Sequence, residues 1–525
     1  MPRNEDRLIG PPGTGKTTTL SQALAFHASE VGSNAVVAIS HTRAAAAELA
    51  GRKTPIPRDN IATLHALAFR ALDRPQVAED SEHLCEFSEA YPHWRMAASV
   101  DAEDLAFHTG GAPGDCLLAD YSRLRNLTTP RELWPPETAA FARAWEQYKA
   151  DSGTIDFTDM IDLATTLTDC APQDPAVIVL DEAQDTSRLQ WKLLQRWTQS
   201  CAKFITAGDP DQSIFEFSGA DPAWFLENRP QRQRVLEQSY RVPIAVHKLA
   251  TSWIKQVRER EQITYLPRDY PGRVSRNTAT FKYIDPLLHV IEQHLSAGKS
   301  VMLMATCGYM LSELLTALRR LAIPFANPWR RKRGDWNPLY QRKGNSTVGG
   351  IRAFLAPQAD GRTWTGQEVL AWMQIVKGVF QRGGKDELAQ RIKQEEDPDQ
   401  IAADILSLLS DEEDFSRMLS ADSIDWLEAH ILAAKAKAAE FPLRAVRKRG
   451  PAVLDEEPRL FIGTCHSFKG AEADIVIVFP DLSPQGYTQW VTGHRDSIVR
   501  LFYVAFTRAR EELILCGAAS GAAVW

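Results

Sequence analysis

The octet Gly10-Pro11-Pro12-Gly13-Thr14-Gly15-Lys16-Thr17 constrains this chain more than any other segment. It fits the pattern G-x-x-x-x-G-K-[ST], follows the short apolar stretch Leu8-Ile9 and precedes a helix-prone run from Thr18 to His27. A strand, a glycine-rich turn and a helix in that order wrap backbone N–H groups around a phosphate chain, and the helix N-terminus adds positive potential. Lys16 is then placed to reach β- and γ-phosphates, and Thr17 to hold Mg²⁺ through its hydroxyl. The motif predicts a nucleoside triphosphate site made by Gly10, Pro11, Pro12, Gly13, Thr14, Gly15, Lys16, Thr17 and Thr18. It does not say what the energy is used for.

At 525 residues the chain has room for several domains of about 150 residues each. No apolar run approaches the roughly 20 residues of a membrane span, and the N-terminus lacks a signal-peptide pattern, so no membrane partner is expected. The 7 cysteines are scattered, with no C-x-x-C pair. That argues against a disulfide framework, a zinc site or an iron–sulfur cluster, and fits a reducing, cytoplasmic setting. A net charge of -7 gives no global attraction to nucleic acid but leaves room for a local basic track.

A second nucleotide motif lies downstream. Val177-Ile178-Val179-Leu180 reads as a buried parallel strand, and Asp181-Glu182-Ala183-Gln184-Asp185 follows at its end. Acidic residues there sit where open α/β sheets bind ligands. Asp181 is placed for the Mg²⁺ shell and Glu182 for orienting and deprotonating the attacking water. Asp185 reads equally well as a cap on the next helix.

Further motifs follow in order: Ala38-Ile39-Ser40-His41-Thr42-Arg43-Ala44-Ala45, Thr63-Leu64-His65-Ala66-Leu67, Ile155-Asp156-Phe157-Thr158-Asp159-Met160, Gly208-Asp209-Pro210-Asp211-Gln212-Ser213-Ile214-Phe215, Leu236-Glu237-Gln238-Ser239-Tyr240-Arg241, Thr464-Cys465-His466-Ser467-Phe468-Lys469-Gly470-Ala471-Glu472 and Tyr503-Val504-Ala505-Phe506-Thr507-Arg508-Ala509. This series resembles that of the superfamily 1 DNA helicases of the UvrD/Rep/PcrA type. The phosphate loop is also typical of the Upf-like branch. The Asp-Glu-Ala-Gln-Asp order, the Gln-Ser-Ile-Phe continuation and the Gln-Ser-Tyr-Arg motif resemble the UvrD branch instead.

The resemblance implies an α/β fold with two RecA-like P-loop NTPase core domains, each carrying a mainly helical insertion. Residues 1–68 and 151–240 would form the first core, 241–326 and 458–525 the second, with insertions at 69–150 and 327–457. It implies ATP and Mg²⁺ as cofactors, with Lys16, Asp181, Glu182, Gln212, Arg241 and Arg508 catalytic. Arg241 and Arg508 match two arginine fingers, and Gln212 a sensor of the γ-phosphate and water. Tyr240 would stack on the base, with Gly470 and Glu472 near the ribose and metal-bound water. Single-stranded DNA and its junctions with duplex would be the partner, gripped by Phe157, Phe215, Phe217, His41, Thr63 and His65. Aromatic faces and phosphate donors grip without reading sequence. The implied activity is an ATP-dependent 3′→5′ DNA translocase and helicase in repair, recombination or replication, with an accessory protein as a further partner. Two alternatives stay open: an ATP-switched subunit of a larger repair or defence complex, and a 5′→3′ enzyme of the Upf-like branch.

The sequence departs from the family pattern in places. His41 stands where the family usually has phenylalanine, and Ser218 where it has arginine. Only 9 residues precede Gly10, so the glutamine-containing motif that reads adenine is missing here or the start is misassigned. No Gly-Ile-Gly-like hairpin is visible in the second insertion, and both insertions are short for the family. The chain ends at Trp525, shortly after the last motif, which predicts no appended nuclease or partner-binding tail.

Outside the motifs, 69–150 and 327–457 read as helical. A capping box, Thr365-Gly366-Gln367-Glu368, opens a run to Phe380, and Asp425 to Ala439 is amphipathic. Ser300–Ala305, Ile323–Phe325, Leu460–Gly463 and Ile475–Phe479 read as strands, and a helix spans about Met310 to Leu321. The basic runs Arg330-Arg331-Lys332-Arg333 and Arg447-Lys448-Arg449 read either as duplex contacts or as solvated linkers.

Overall fold

A computed structural model describes residues 5–52, 54–97, 112–227, 230–258, 260–331, 333–340, 346–360, 362–392, 397–411 and 413–525. The chain divides into two compact units, one of residues 1–282, 304–310 and 464–525, the other of 283–303 and 311–463. The fold is α/β, with parallel sheets and many helices. Its strands are β1 (Glu5–Ile9), β2 (Val36–Ser40), β3 (Ile61–Thr63), β4 (Val177–Leu180), β5 (Lys203–Gly208), β6 (Arg232–Val235), β7 (Gln238–Pro243), β8 (Leu266–Arg268), β9 (Arg273–Arg276), β10 (Val301–Ala305), β11 (Leu460–Thr464), β12 (Ala473–Val478) and β13 (Ala509–Leu515).

In the first unit the order β3-β2-β4-β5-β1-β6 makes one sheet in which every neighbouring pair is parallel. Its central strands are near-continuous apolar runs because helices cover both faces. Ile39, Ile178, Leu180 and Phe204 bury into one cluster with Trp191 and Trp197, while Val36, Ala38, Val177 and Val179 bury into another with Leu20 and Leu24. Val177–Leu180 is thus the buried parallel strand its composition predicts. β13 pairs in parallel with β12 and with β9, and β7 with β8.

Within 69–150 the helices Ser81–Ala90, Pro113–Asn126 and Pro136–Ser152 pack around Phe87, Tyr121, Trp134, Phe141 and Trp145. The next helix, Phe157–Leu167, is capped by Asp156 with a reciprocal bond from Asp159. Lys149 lies between both carboxylates, Trp145 donates its indole N–H to Asp156 at 3.1 Å, and Arg125 reaches Asp159 at 3.0 Å. Lys149 and Asp156 are buried. Removing one partner of such a group leaves charge unpaired in low dielectric, so Lys149→Met is expected to destabilise the fold by about 3–5 kcal/mol. The readout is the urea midpoint of the purified protein. A shift equivalent to less than about 1 kcal/mol would mean the carboxylates are solvated without it.

The second unit is mainly helical. Phe354, Trp364, Trp372 and Trp426 fill its core, Phe354 stacking on Trp426 at 5.5 Å. Thr365 and Glu368 form the expected capping box, but the helix ends at Trp372 instead of running to Phe380, because Val376 bridges to Ile431. The 425–439 run is two helices, Ser423–His430 and Ala433–Arg449, broken where Leu432 donates to the Ile375 carbonyl at 2.8 Å. Ile323–Phe325 is not a strand, and in this segment Ala326 forms the one bridge, to Phe461.

The run Arg447–Arg449 is not a linker but the last turn of helix Ala433–Arg449. Lys448 and Arg449 donate to the carbonyls of Leu321 (2.9 Å) and Ala322 (2.6 Å), completing the C-terminus of helix Ser312–Leu321, while Arg447 pairs with Asp425 and Glu428. Cations at a helix C-terminus satisfy its last carbonyls and its dipole. In the other run Arg331 is exposed, Arg333 lies 4.0 Å over Trp336, and Lys332 is outside the described residues. Among the described residues no helix is long and apolar enough to cross a membrane.

Candidate nucleotide and nucleic-acid site

The strand order sorts the motifs along one edge of the sheet. At the carboxyl ends, β3 delivers Thr63 and His65, β2 delivers His41, β4 delivers Asp181 and Glu182, β5 delivers Asp209 and Gln212, and β1 delivers the phosphate loop. Thr63, His65 and His41 lie toward the β3 end of the edge and the phosphate loop toward the β1 end, while Phe215 and Phe217 follow β5 on the same loop as Gln212. The site residues all lie in the first unit.

Gly13 and Gly15 hold φ of 75° and 83°. A Cβ on Gly13 would stand 2.4 Å from the Arg241 Cβ, so glycine is what admits the β7 segment to the loop. Three bonds fasten it: Ser239 Oγ and Tyr265 Oη each donate to the Pro12 carbonyl at 2.9 Å, and the Tyr240 N–H to the Gly13 carbonyl at 2.8 Å. The helix starts at Lys16, earlier than Thr18, runs to Val31, and has no side-chain N-cap. Its first N–H groups therefore face the loop, where an anion binds. Thr14 Oγ1 donates to the Pro11 carbonyl at 2.8 Å, and the Lys16 ammonium to the Gly10 carbonyl at 2.7 Å. Thr18 is exposed and accepts from Arg52 at 3.5 Å. Among the described residues no hydrogen bond joins it to the rest of the site.

Glu182 adopts left-handed backbone (φ 54°), a conformation costing of order 1–3 kcal/mol in a non-glycine residue. Gln184 donates to its carboxylate at 2.5 Å. Burial would raise its pKa, but Lys16 foremost, then Lys469, the Gln184 bond and Arg508, outweigh burial and hold it at about 2. The Glu182 carboxylate therefore stays ionised and able to attract a proton-bearing water. Asp181 and Thr17 supply a carboxylate and a hydroxyl, hard oxygen donors that suit Mg²⁺ with waters completing its octahedron.

Gln212 joins three elements. Its amide donates to Asp209 at 2.6 Å, its side-chain oxygen accepts from Arg508 at 2.6 Å, and its backbone carbonyl accepts from Lys469 at 2.7 Å. Arg241 donates to Glu472 at 2.6 Å, and Arg510 lies 3.3 Å from the same carboxylate. Gly470 lies between Lys469 and Glu472 with φ of 87°. Tyr240 is 71% exposed, its ring open to a flat ligand.

Lys469 and Tyr265, which the sequence did not single out, join these contacts, as does Asp185, read there as a site residue or a helix cap. Lys469 pairs with Asp185, and its ammonium lies 5.0 Å over the Phe215 ring. Asp185 does not cap the next helix, since Ser187 does, with Gln190 bonding back. Burial, opposed mainly by Lys469, pushes the Asp185 carboxyl up to about 7. The folded state thus binds a proton that the unfolded chain releases near pH 4, and stability falls as pH rises from about 4 to about 7. Asp185→Asn is expected to flatten that part of the stability–pH curve. A profile unchanged from wild type would remove Asp185 from the titration.

The aromatic candidates gather around a cavity of about 1020 Å³ that is lined by His41, Thr63, His65, Phe157, Phe217 and His466, among others. His41 stacks on Phe215 (5.2 Å, 30°), Phe217 meets Phe215 at 5.9 Å and His466 at 5.4 Å, and His65 meets Phe157 edge-on at 5.9 Å. Phe157 is 42% exposed because it is the first residue of its helix. The Thr63 hydroxyl oxygen accepts from the Ala66 N–H at 3.2 Å as a helix cap. That bond uses the oxygen as an acceptor and leaves the hydroxyl hydrogen available as a donor.

A family model described as "AAA domain" matches residues 3–218, and one described as "UvrD-like helicase C-terminal domain" matches residues 459–516. The chain is thus similar to the UvrD/PcrA-like superfamily 1 helicases. An ATP-dependent DNA helicase UvrD2 of Mycobacterium bovis is 26% identical over 297 residues, which is 49% of this chain and 42% of that protein. An ATP-dependent DNA helicase PcrA of Leuconostoc citreum is 26% identical over 313 residues, 52% of this chain and 41% of that protein. A probable DNA helicase of Mycoplasma pneumoniae is 22% identical over 284 residues, 48% of this chain and 53% of that protein. The chain thus spans about half the length of the curated relatives it matches, or somewhat less. The N-terminal match covers the first sheet almost to its end, and the C-terminal match holds Lys469, Glu472 and Arg508.

Proposed function

We propose that this protein is an ATP-dependent DNA translocase and helicase, moving 3′→5′ on a single strand during repair, recombination or replication. The observation that carries this reading is the Gln212 junction, which joins the arginine of the last motif to the loop bearing Phe215 and Phe217. In this reading Mg·ATP sits on the loop from Gly10 to Thr17, with Thr17 and Asp181 on the metal. The metal would neutralise phosphate charge when bound. Glu182 accepts the proton of the attacking water, while Arg241 and Arg508 stabilise the charge of the transferring phosphoryl group. The Arg241–Glu472 pair must loosen for Arg241 to turn to phosphate. The two RecA-like cores, 1–68 with 151–240 and 241–326 with 458–525, would close on the nucleotide, and 69–150 and 327–457 would be their insertions.

Purified protein is expected to hydrolyse ATP slowly alone and many-fold faster with single-stranded DNA, and to unwind duplex carrying a 3′ tail. Absence of DNA stimulation would sink the motor reading. Unwinding from a 5′ tail alone would reverse the direction. Tyr240 is the only base contact this reading assigns, so Tyr240→Ala is expected to raise KM for ATP by about tenfold, a stacking contribution of roughly 1–1.5 kcal/mol, with kcat little changed.

A further inference from the structure

His41 brings to an aromatic cavity something that phenylalanine cannot. It follows the last residue of β2, stacks on Phe215 and lines the cavity with His65, Phe217 and His466. Burial first, then Lys469 and His65, pull its pKa down to about 4, and burial does the same to His65. Both rings are therefore neutral at physiological pH and offer no charge to a phosphate. A neutral imidazole carries one N–H donor and one nitrogen acceptor. Among the described residues no hydrogen bond engages either nitrogen of His41. Its stacking partner Phe215 already carries the Lys469 ammonium. The His41 ring edge thus sets a donor and an acceptor directly beside the stacking face of Phe215, with hydrogen-bonding capacity left for a ligand.

We propose that His41 is a base-discriminating residue, which hydrogen-bonds the edge of a single-stranded base in the cavity and makes the grip depend on base identity. This rests on the proposed DNA-motor reading. Stacking alone is sequence-tolerant, because every base has a π-face. A donor and an acceptor fixed beside it are not, because base edges differ in their donors and acceptors. A single net hydrogen bond changes binding by roughly 2- to 10-fold, so the expected preference is graded, not absolute.

The test compares the full-length chain with His41→Phe and His41→Gln, by fluorescence anisotropy on 15-mers of dT, dC and dA and on an abasic 15-mer. Wild type is expected to bind one base type at least about threefold better than another. In His41→Phe, which keeps the stack, the ratio between base types shrinks while binding to the abasic strand stays the same. His41→Gln keeps a donor and an acceptor but loses the stack, so it weakens all base-bearing strands and retains part of the ratio. An identical ratio in wild type and His41→Phe overturns the inference. Failure of wild type to bind any of the strands would instead overturn the DNA-motor reading.

Discussion

Replacing Arg508 with lysine is expected to lower DNA-stimulated ATP hydrolysis by about 10³-fold or more, the scale of an arginine contribution to phosphoryl transfer. Arg508 is 1% exposed. It donates to Gln212 at 2.6 Å, to the Val504 carbonyl at 3.0 Å and to the Ala471 carbonyl at 3.3 Å. Burial foremost, then the neighbouring Arg241, lower its pKa to about 9. Holding this cation is therefore electrostatically costly in the protein alone, and an anionic phosphate would relieve the cost. Lysine preserves the charge but not the planar fork that bonds Gln212 and two carbonyls together. Turnover at saturating DNA is measured beside the thermal midpoint. A loss below tenfold with an unchanged midpoint would leave Arg508 a packing residue.

Glu182→Gln is expected to reduce turnover by about 10²- to 10⁴-fold, the range for a positioned general base. The amide oxygen of glutamine can still accept from Gln184, so local geometry and single-strand binding should persist. Because Lys16 and Lys469 keep the carboxylate ionised, Glu182 contributes no acid limb to the rate between about pH 6 and pH 8. A variant with near-normal turnover would show that another group takes the water proton, and Asp185 would be the first to examine.

The phosphate loop and the strand before Asp181 were legible because their signals are local. Glycines at fixed offsets and a short β-branched run need no knowledge of distant chain. The apolar run of β4 already read as a parallel strand, but the sheet that places it beside the loop was legible only through the resemblance. Element ends in the second unit were not, since Val376 and Leu432 leave their helices for partners far away in sequence. Lys469 shows the same limit at the site. Its motif was recognised, but its pairing with Asp185, 284 residues earlier, is a property of the packed chain. Arg447–Arg449 read either as a duplex contact or as a solvated linker because charge is visible in sequence and the carbonyls it serves are not.

The sheet edge has a mechanical meaning as well. The Asp181 N–H extends the β2–β4 ladder by bonding the Ile39 carbonyl at 2.8 Å, and His41 is two residues beyond. The carboxylate proposed for the metal and the ring proposed to meet the bases are thus mounted on adjacent strands, whose spacing is set at about 4.8 Å by backbone hydrogen bonds. That pair forms a fixed ruler. In the proposed motor, travel along a strand would have to be generated by parts that are not on it: the loop carrying Phe215, the segment from Ser239 to Arg241, and the stretch from Thr464 to Glu472. Each stroke of that motor would then be measured against a hydrogen-bonded reference.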